Sequence, residues 1–406
     1  MRRRVVVTGA GAVSSLADSA AGLHEALKEG RSGLKPIELF PLNGLGPRQA
    51  GEVRPFEPKQ WLGEKNLRPV DRTARLLLVA AQQALEASGW TPELRTRDQA
   101  GLVLGTMYCS VRTIAEFDRR AVQAGPSHAS PLDFANSVIN AAAGQAAIWH
   151  GLPGVNSTIS AGAASGLMAL STAADLIRTG RSGALLAGGV EELCYESFVA
   201  FLRAGQLAER DGRPGRPIPF DARRDGMALA EGAALLALEE AAQAERRGAP
   251  VLGEILGHGT AFDPTGGEQA AETLARAVRL ALDDAGLGPE EIDAVSAGAN
   301  GGVEEDRQEA AGLAMALGER AGSVPVTAVK SMLGEALGAS GALQAVAALG
   351  TLSDGVLPGI PGLGEVEEGF ALGGVSAVSR PVRARRILIT ISGYGGHNCA
   401  LILGAV

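Results

Sequence analysis

The stretch from residue 156 to 189, N-S-T-I-S-A-G-A-A-S-G-L-M-A-L-S-T-A-A-D-L-I-R-T-G-R-S-G-A-L-L-A-G-G, leaves a folding chain few options. Its Gly/Ala/Ser run predicts a tight turn opening a helix, because Leu167, Leu170, Ala174 and Ile177 recur at helical spacing and Gly180 offers a stop. The apolar run 184–187 predicts a strand. Strand, small-residue turn, helix and strand is how α/β enzymes present a nucleophile at a helix N-terminus, where backbone N–H groups also serve an oxyanion. This turn carries no nucleophile.

At 406 residues the chain is long for a single core, so two continuous halves are expected. A hydrophobic fraction of 46 % with 56 glycines and few aromatics suits an Ala/Gly-rich α/β protein whose backbones approach closely. The 37 basic and 45 acidic residues give a net charge of −8, which argues against a nucleic-acid or membrane-surface binder. Cys109, Cys194 and Cys399 are odd in number and widely spaced, as in a reducing compartment, and neither they nor the histidines have metal-site spacing. The start, Met1-Arg2-Arg3-Arg4-Val5-Val6-Val7, reads as a strand rather than a signal peptide, and no apolar run approaches the roughly 20 residues that span a bilayer. These features point to a cytoplasmic protein without a metal or cofactor.

Residues 5–8 read as a buried strand ending in a tight turn at Gly9-Ala10-Gly11-Ala12-Val13-Ser14, where Ser14 replaces the third glycine of a dinucleotide fingerprint. Residues 68–87 form an amphipathic helix, with Arg68, Asp71, Arg72 and Arg75 clustered at its start as a solvated helix end or a binding patch. Residues 100–106 are a second buried strand. From Val251 the order of strand, helix, strand, Gly/Ala-rich turn and helix starts again.

S-A-G-A-A-S-G followed by A-G-G resembles the active-site elbow of the β-ketoacyl-ACP synthases, whose pattern is T-A-C-x-S-G. Ser165-Gly166 and Ala187-Gly188-Gly189 fix the register and put the family's cysteine at Ala163. P-F-D-A-R-R-D-G-M-A-L-A-E-G, ending at Gly232, resembles the family's P-F-D-x-x-R-D-G-x-x-x-x-E-G. In V-S-A-G-A-N-G-G-V-E-E-D-R-Q-E, Asp306 and Glu309 match acidic positions of the family's H-G-T segment, and the histidine position is Gly298. In K-S-M-L-G-E-A-L-G-A-S-G, Lys330 matches and the second histidine position is Glu335. A true H-G-T at His258-Gly259-Thr260 lies some 40 residues too early and is read as coincidence.

The resemblance implies a thiolase fold, five-layered αβαβα, built from halves 1–250 and 251–406 with a dimer-interface segment at about 107–147. Loss of all three chemical groups with retention of the scaffold is most similar to the chain-length factors, the β subunits of type II polyketide ketosynthases. Such a chain pairs with an active ketosynthase α subunit, meets acyl carrier protein bearing malonyl or polyketide chains, and shapes the elongation tunnel. Met107, Tyr108 and Cys109 fall at tunnel-lining positions, where Tyr108 is a candidate stop and an interface tyrosine is the plainer alternative. Ser392 and Tyr394, in S-G-Y-G-G, fall at the gate, with His397 as a bordering or simply polar loop residue. Arg68 and Arg72 are candidates for carrier docking. Two rival expectations are decarboxylation of malonyl-ACP without condensation, and a homodimeric carrier-binding scaffold.

Overall fold

The computed structural model describes residues 3–46, 48–64, 67–210 and 213–406. Met1 and Arg2, part of the N-terminal stretch read as a strand, lie outside the described residues. The main strands are β1 (Val5–Ser14), β2 (Gly101–Gly105), β3 (Asn156–Ile159), β4 (Ala184–Glu191), β5 (Gly232–Glu240), β6 (Gly253–Phe262), β7 (Ala294–Ser296), β8 (Val326–Thr327), β9 (Arg386–Ser392) and β10 (His397–Gly404). Among the described residues these ten strands hydrogen-bond in one run, β8-β7-β9-β10-β6-β1-β5-β4-β2-β3. The run is two five-strand sheets of the same order, 3-2-4-5-1 within each, joined where Val5 to Val7 pair antiparallel with Gly253 to Ile255. The chain therefore repeats its topology.

The helices that frame the site are α1 (Arg72–Ser88), α2 (Val111–Ala124), α3 (Ala141–His150), α4 (Ser165–Arg178), α5 (Tyr195–Arg203), α6 (Ala270–Ala285), α7 (Val303–Leu317) and α8 (Ser340–Asp354). α4 and α8 touch strands of both sheets and form the middle layer; α1 and α3 cover one outer face, α6 and α7 the other. Helices on both faces of each sheet make this an α/β thiolase fold. The elbow predicted from the Gly/Ala/Ser run is present: Gly162 turns at φ 61°, a left-handed backbone that suits glycine, and α4 starts at Ser165. α8 occupies the matching place in the second half. It is buried along most of its length because it is flanked by sheets on both sides.

Two local expectations are corrected. β1 does not end in a turn at Gly9; it runs on through Gly11, with a bulge between Val7 and Gly9. A Cβ at Gly9 or Gly11 would run into the carbonyl oxygens of Ala84 and Ala80, so these glycines let α1 lie directly on the strand. Helix α1 begins at Arg72 rather than residue 68, because the Asp71 carboxylate accepts from the Ala74 N–H at 3.0 Å and ends the preceding extended segment. Gly89 closes the helix at φ 69°.

Between β2 and β3 the packing changes. Helix α2 has no buried residue, and Val122, Leu132, Phe134, Val138 and Ile148 are more than half exposed. Among the described residues strand β3, the sheet edge, pairs only with β2. No helix among the described residues is long and apolar enough to cross a membrane.

Candidate functional site

The elbow, the loop after β7, the turn before α8 and the turn between β9 and β10 converge on one buried centre. Ala163 is fully buried, one residue beyond the turn and two before α4. Gly393 packs on its backbone: a Cβ built there would stand 3.5 Å from the Ala163 nitrogen. A methyl group has no nucleophilic electron pair, so Ala163 cannot form a thioester. The chain's thiols do not substitute for it. Cys109, Cys194 and Cys399 are buried, and burial pushes them up to about 12, 11 and 12, leaving no thiolate near neutral pH.

Gly298 sits where β7 has just ended. Its N–H donates to Glu309 Oε1 at 2.9 Å, and its carbonyl accepts from Lys330 Nζ at 2.7 Å. A Cβ at this position would lie 2.9 Å from both the Ile391 Cα and the Thr390 carbonyl oxygen, contacts too short for any side chain. Backbone of β9 fills the space a side chain would need here. Glu309 is held by the Thr390 hydroxyl at 2.5 Å, and burial raises its carboxyl above the ordinary range.

Glu335 is 1 % exposed and its carboxylate is saturated. Oε2 accepts from Lys330 Nζ at 2.8 Å and Asn300 Nδ2 at 3.0 Å; Oε1 accepts from Ser340 Oγ at 2.6 Å and the Leu337 N–H at 3.0 Å. Its backbone is bracketed by Ala228 and Ala230 through bonds of 2.7 and 2.8 Å. A carboxylate that only accepts cannot donate to the carbonyl oxygen of a thioester, and its charge opposes an enolate. Decarboxylation therefore has no donor pair at these positions.

Tyr394 closes the centre from the other side. Its hydroxyl accepts from Asn300 Nδ2 at 2.9 Å and donates to Met227 Sδ at 2.9 Å, and its ring meets Phe201 of α5 edge-on at 5.3 Å between centroids. Burial pushes its phenol well above the usual value. Phe198, Phe201, Met227, Leu229 and Leu337 pack together beside it, so side chains of this chain fill the space next to the centre. Ser392 Oγ donates to Asn398 Oδ1 at 2.7 Å, bracing the turn. A cleft of about 290 Å³ opens on Gly298, Asn300 and Tyr394, and Asp263, Glu304 and Glu305 give it an acidic rim.

Gly298, Lys330 and Glu335 thus meet through direct bonds, and Ala163 joins them through the Gly393-Tyr394 turn. Met107, Tyr108 and Cys109 lie on the loop after β2; Cys109 is buried, Tyr108 is 37 % exposed, and Met107 packs against the same apolar cluster as Tyr394. Arg72 is corrected: its guanidinium forms a fork with Glu231, at 2.7 and 2.5 Å, and also donates to the Val53 carbonyl. Glu231 is fully buried, so Arg72 neutralises a core acid and is not a free docking cation. Arg68 lines a cleft with Arg75, Arg112 and Arg120. His258 reaches Asp175 at 3.0 Å, and the His397 ring packs tilted by 51° against Phe262 at 4.9 Å between centroids. Asn300, which replaces the threonine of the H-G-T pattern, escaped the sequence reading although it ties Glu335 to Tyr394. Among the described residues no group of three His, Cys, Asp or Glu side chains could hold a metal ion.

Family models agree with this geometry. The β-ketoacyl synthase N-terminal domain matches residues 2–244 and the C-terminal domain residues 252–363. The chain belongs to the β-ketoacyl synthase family. It is 36 % identical over 405 residues to the tetracenomycin polyketide synthase ketoacyl synthase beta subunit of Streptomyces glaucescens, covering 98 % of both chains. It is 31 % identical over 410 residues to 3-oxoacyl-[acyl-carrier-protein] synthase 2 of Coxiella burnetii, covering 100 % of this chain and 99 % of that one. Among solved structures, the ishigamide ketosynthase/chain length factor superposes with a TM-score of 0.94 at 32 % identity, each chain fully covered. Within this member of the family, Ala163, Gly298 and Glu335 stand in a scaffold that both domain models match.

Proposed function

We propose that this chain is the chain-length-factor subunit of a type II polyketide synthase, made of halves 1–250 and 251–406 and working in the cytoplasm. It pairs with a catalytic ketosynthase α subunit and shapes the tunnel into which carrier-bound chains grow. The observation that carries this reading is the buried centre itself: three chemical positions are replaced, and the replacement at Glu335 is bonded on every side. Neglect would leave an unpaired buried acid, whereas this centre is rebuilt as structure. The uncovered apolar side chains of 122–148 and the half-paired edge strand β3 supply the surface on which a second ketosynthase-like chain would sit. Met107, Tyr108 and Cys109 line the tunnel wall near that surface, and Arg68 contributes to carrier docking. Length control then needs only volume, because a bulky side chain at the tunnel end excludes further units.

The test is co-expression with the candidate ketosynthase, followed by size analysis and assay with malonyl-ACP. A one-to-one complex that elongates only when both chains are present supports the reading, and Tyr108→Ala then lengthens the product. A homodimer indifferent to the ketosynthase, or turnover of malonyl-ACP by this chain alone, refutes it.

A further inference from the structure

β4 is apolar until its last residue, Glu191, which is 1 % exposed. Its carboxylate gathers five donors. Oε1 accepts from the Tyr108 N–H at 3.0 Å, the Cys109 N–H at 2.9 Å and Thr106 Oγ1 at 3.2 Å; Oε2 accepts from the Met107 N–H at 2.6 Å and the Gly338 N–H at 3.2 Å. Among the described residues it forms no ion pair, so four backbone N–H groups and one hydroxyl hold the group. The loop it grips is strained: Cys109 has φ 58°, left-handed in a residue with a Cβ. The turn on the other side allows no slack, since a Cβ at Gly338 would stand 2.6 Å from the Met107 nitrogen and 2.7 Å from Glu191 Oε2.

We infer that Glu191 is a positioning residue for chain-length control, whose carboxylate fixes the backbone of 106–109 and thereby where Met107 and Tyr108 stand in the tunnel wall. The inference rests on the tunnel reading proposed above. A carboxylate is suited to this task because both its oxygens only accept, and three consecutive N–H groups need acceptors at one point. A carboxamide would turn an NH₂ toward those donors and release part of the loop. Protonation would do the same, and burial raises this carboxyl to about 7. The other titratable groups facing the site are the Cys109 thiol, pushed up to about 12, the Tyr108 phenol, raised by burial, and Glu335 of the adjoining turn. Glu192, next along the chain, is raised by burial to about 8 and accepts from the Arg112 N–H at 3.1 Å.

The experiment uses the complex with its ketosynthase, supplied with malonyl-ACP, and reads the distribution of product lengths by mass spectrometry. Tyr108→Ala tests the tunnel reading, Glu191→Gln the positioning, and Glu192→Gln separates the neighbouring acid. Glu191→Gln is expected to raise the share of off-length products about fivefold, the scale on which losing one net hydrogen bond moves an equilibrium. The wild-type complex is expected to make more off-length product at pH 6 than at pH 8, Glu192→Gln to keep that dependence, and Glu191→Gln to lose it. A shift with Tyr108→Ala but none with Glu191→Gln overturns the positioning role and leaves the tunnel reading standing. No shift with either, in an intact and active complex, overturns the tunnel reading and this inference with it. If Glu191→Gln does not assemble, the wild-type pH comparison decides, and a constant product ratio overturns the role.

Discussion

Removing the Glu335 side chain is the sharpest test of a centre rebuilt as structure. Glu335→Ala deletes the acceptor of four hydrogen bonds and leaves the buried Lys330 ammonium with the Gly298 carbonyl as its remaining bonded partner. Breaking a buried ion pair by removing one member costs about 3–5 kcal/mol, because the surviving charge loses its compensation. The Asn300 amide, the Ser340 hydroxyl and the Leu337 N–H lose an acceptor as well. Each unsatisfied buried donor costs about 1–3 kcal/mol where water cannot reach it, so the lower figure is a floor. Urea unfolding followed by circular dichroism should place Glu335→Ala at least 3 kcal/mol below the parent chain. Replacing both charges, Lys330→Met with Glu335→Leu, removes the stranded ammonium and should recover part of the loss. A destabilisation by Glu335→Ala below about 1 kcal/mol, the range of an exposed pair, would refute the reasoning.

Other perturbations separate structure from function in the same way. Gly298→Ala must push against the Ile391 and Thr390 backbone and should lower stability by about 1–3 kcal/mol; joined with Ala163→Cys and Glu335→His, a histidine at 298 should still give no condensation by this chain alone, measured with malonyl-ACP. Arg72→Ala strands the buried Glu231 and should cost about 3–5 kcal/mol in urea unfolding, while Arg68→Ala should weaken carrier binding measured by calorimetry. Glu191, Glu192 and Asp306 are raised by burial to about 7, 8 and 7, so the folded chain keeps protons that the unfolded chain releases near pH 4. Between those values stability therefore falls as pH rises, and the urea midpoint should be higher at pH 6 than at pH 8.5; the opposite order would contradict these shifts. Thiol alkylation of the native protein at pH 8 should be slow at all three cysteines and become fast only on unfolding, followed by mass spectrometry.

What could be read from the chain was whatever depends on small residues and spacing. The elbow at 160–166 was legible because a run of small residues with a glycine lets a strand turn sharply into a helix between two sheets. The repeat was legible because strand, helix, strand, Gly/Ala-rich turn and helix recur after Val251. What stayed hidden depends on partners far along the chain. Arg72 looked like surface charge because Glu231 lies 159 positions away, and nothing in the helix's own periodicity shows that a core acid awaits it. Gly298 read as a lost histidine; that no side chain fits there is set by β9, almost a hundred residues later. Glu335 read as the second lost histidine, whereas Asn300 and Ser340 make it a keystone. Gly9 and Gly11 misled because glycines spaced for a turn are equally glycines spaced for a helix lying on a strand.

The order of strands within the first sheet also sets the order in which the chain can be finished. β1 is made first, yet its sheet neighbours are β5 and β6, which begin at Gly232 and Gly253. At a synthesis rate of about 5–20 residues per second, the first strand waits on the order of 10–40 s after leaving the ribosome before a pairing edge exists. During that interval Val5, Val6 and Val7 can be covered only by local helices or by another protein. A chain built this way depends on chaperones or on prompt assembly, and its yield when expressed alone reports on that waiting time as much as on the stability of the finished fold.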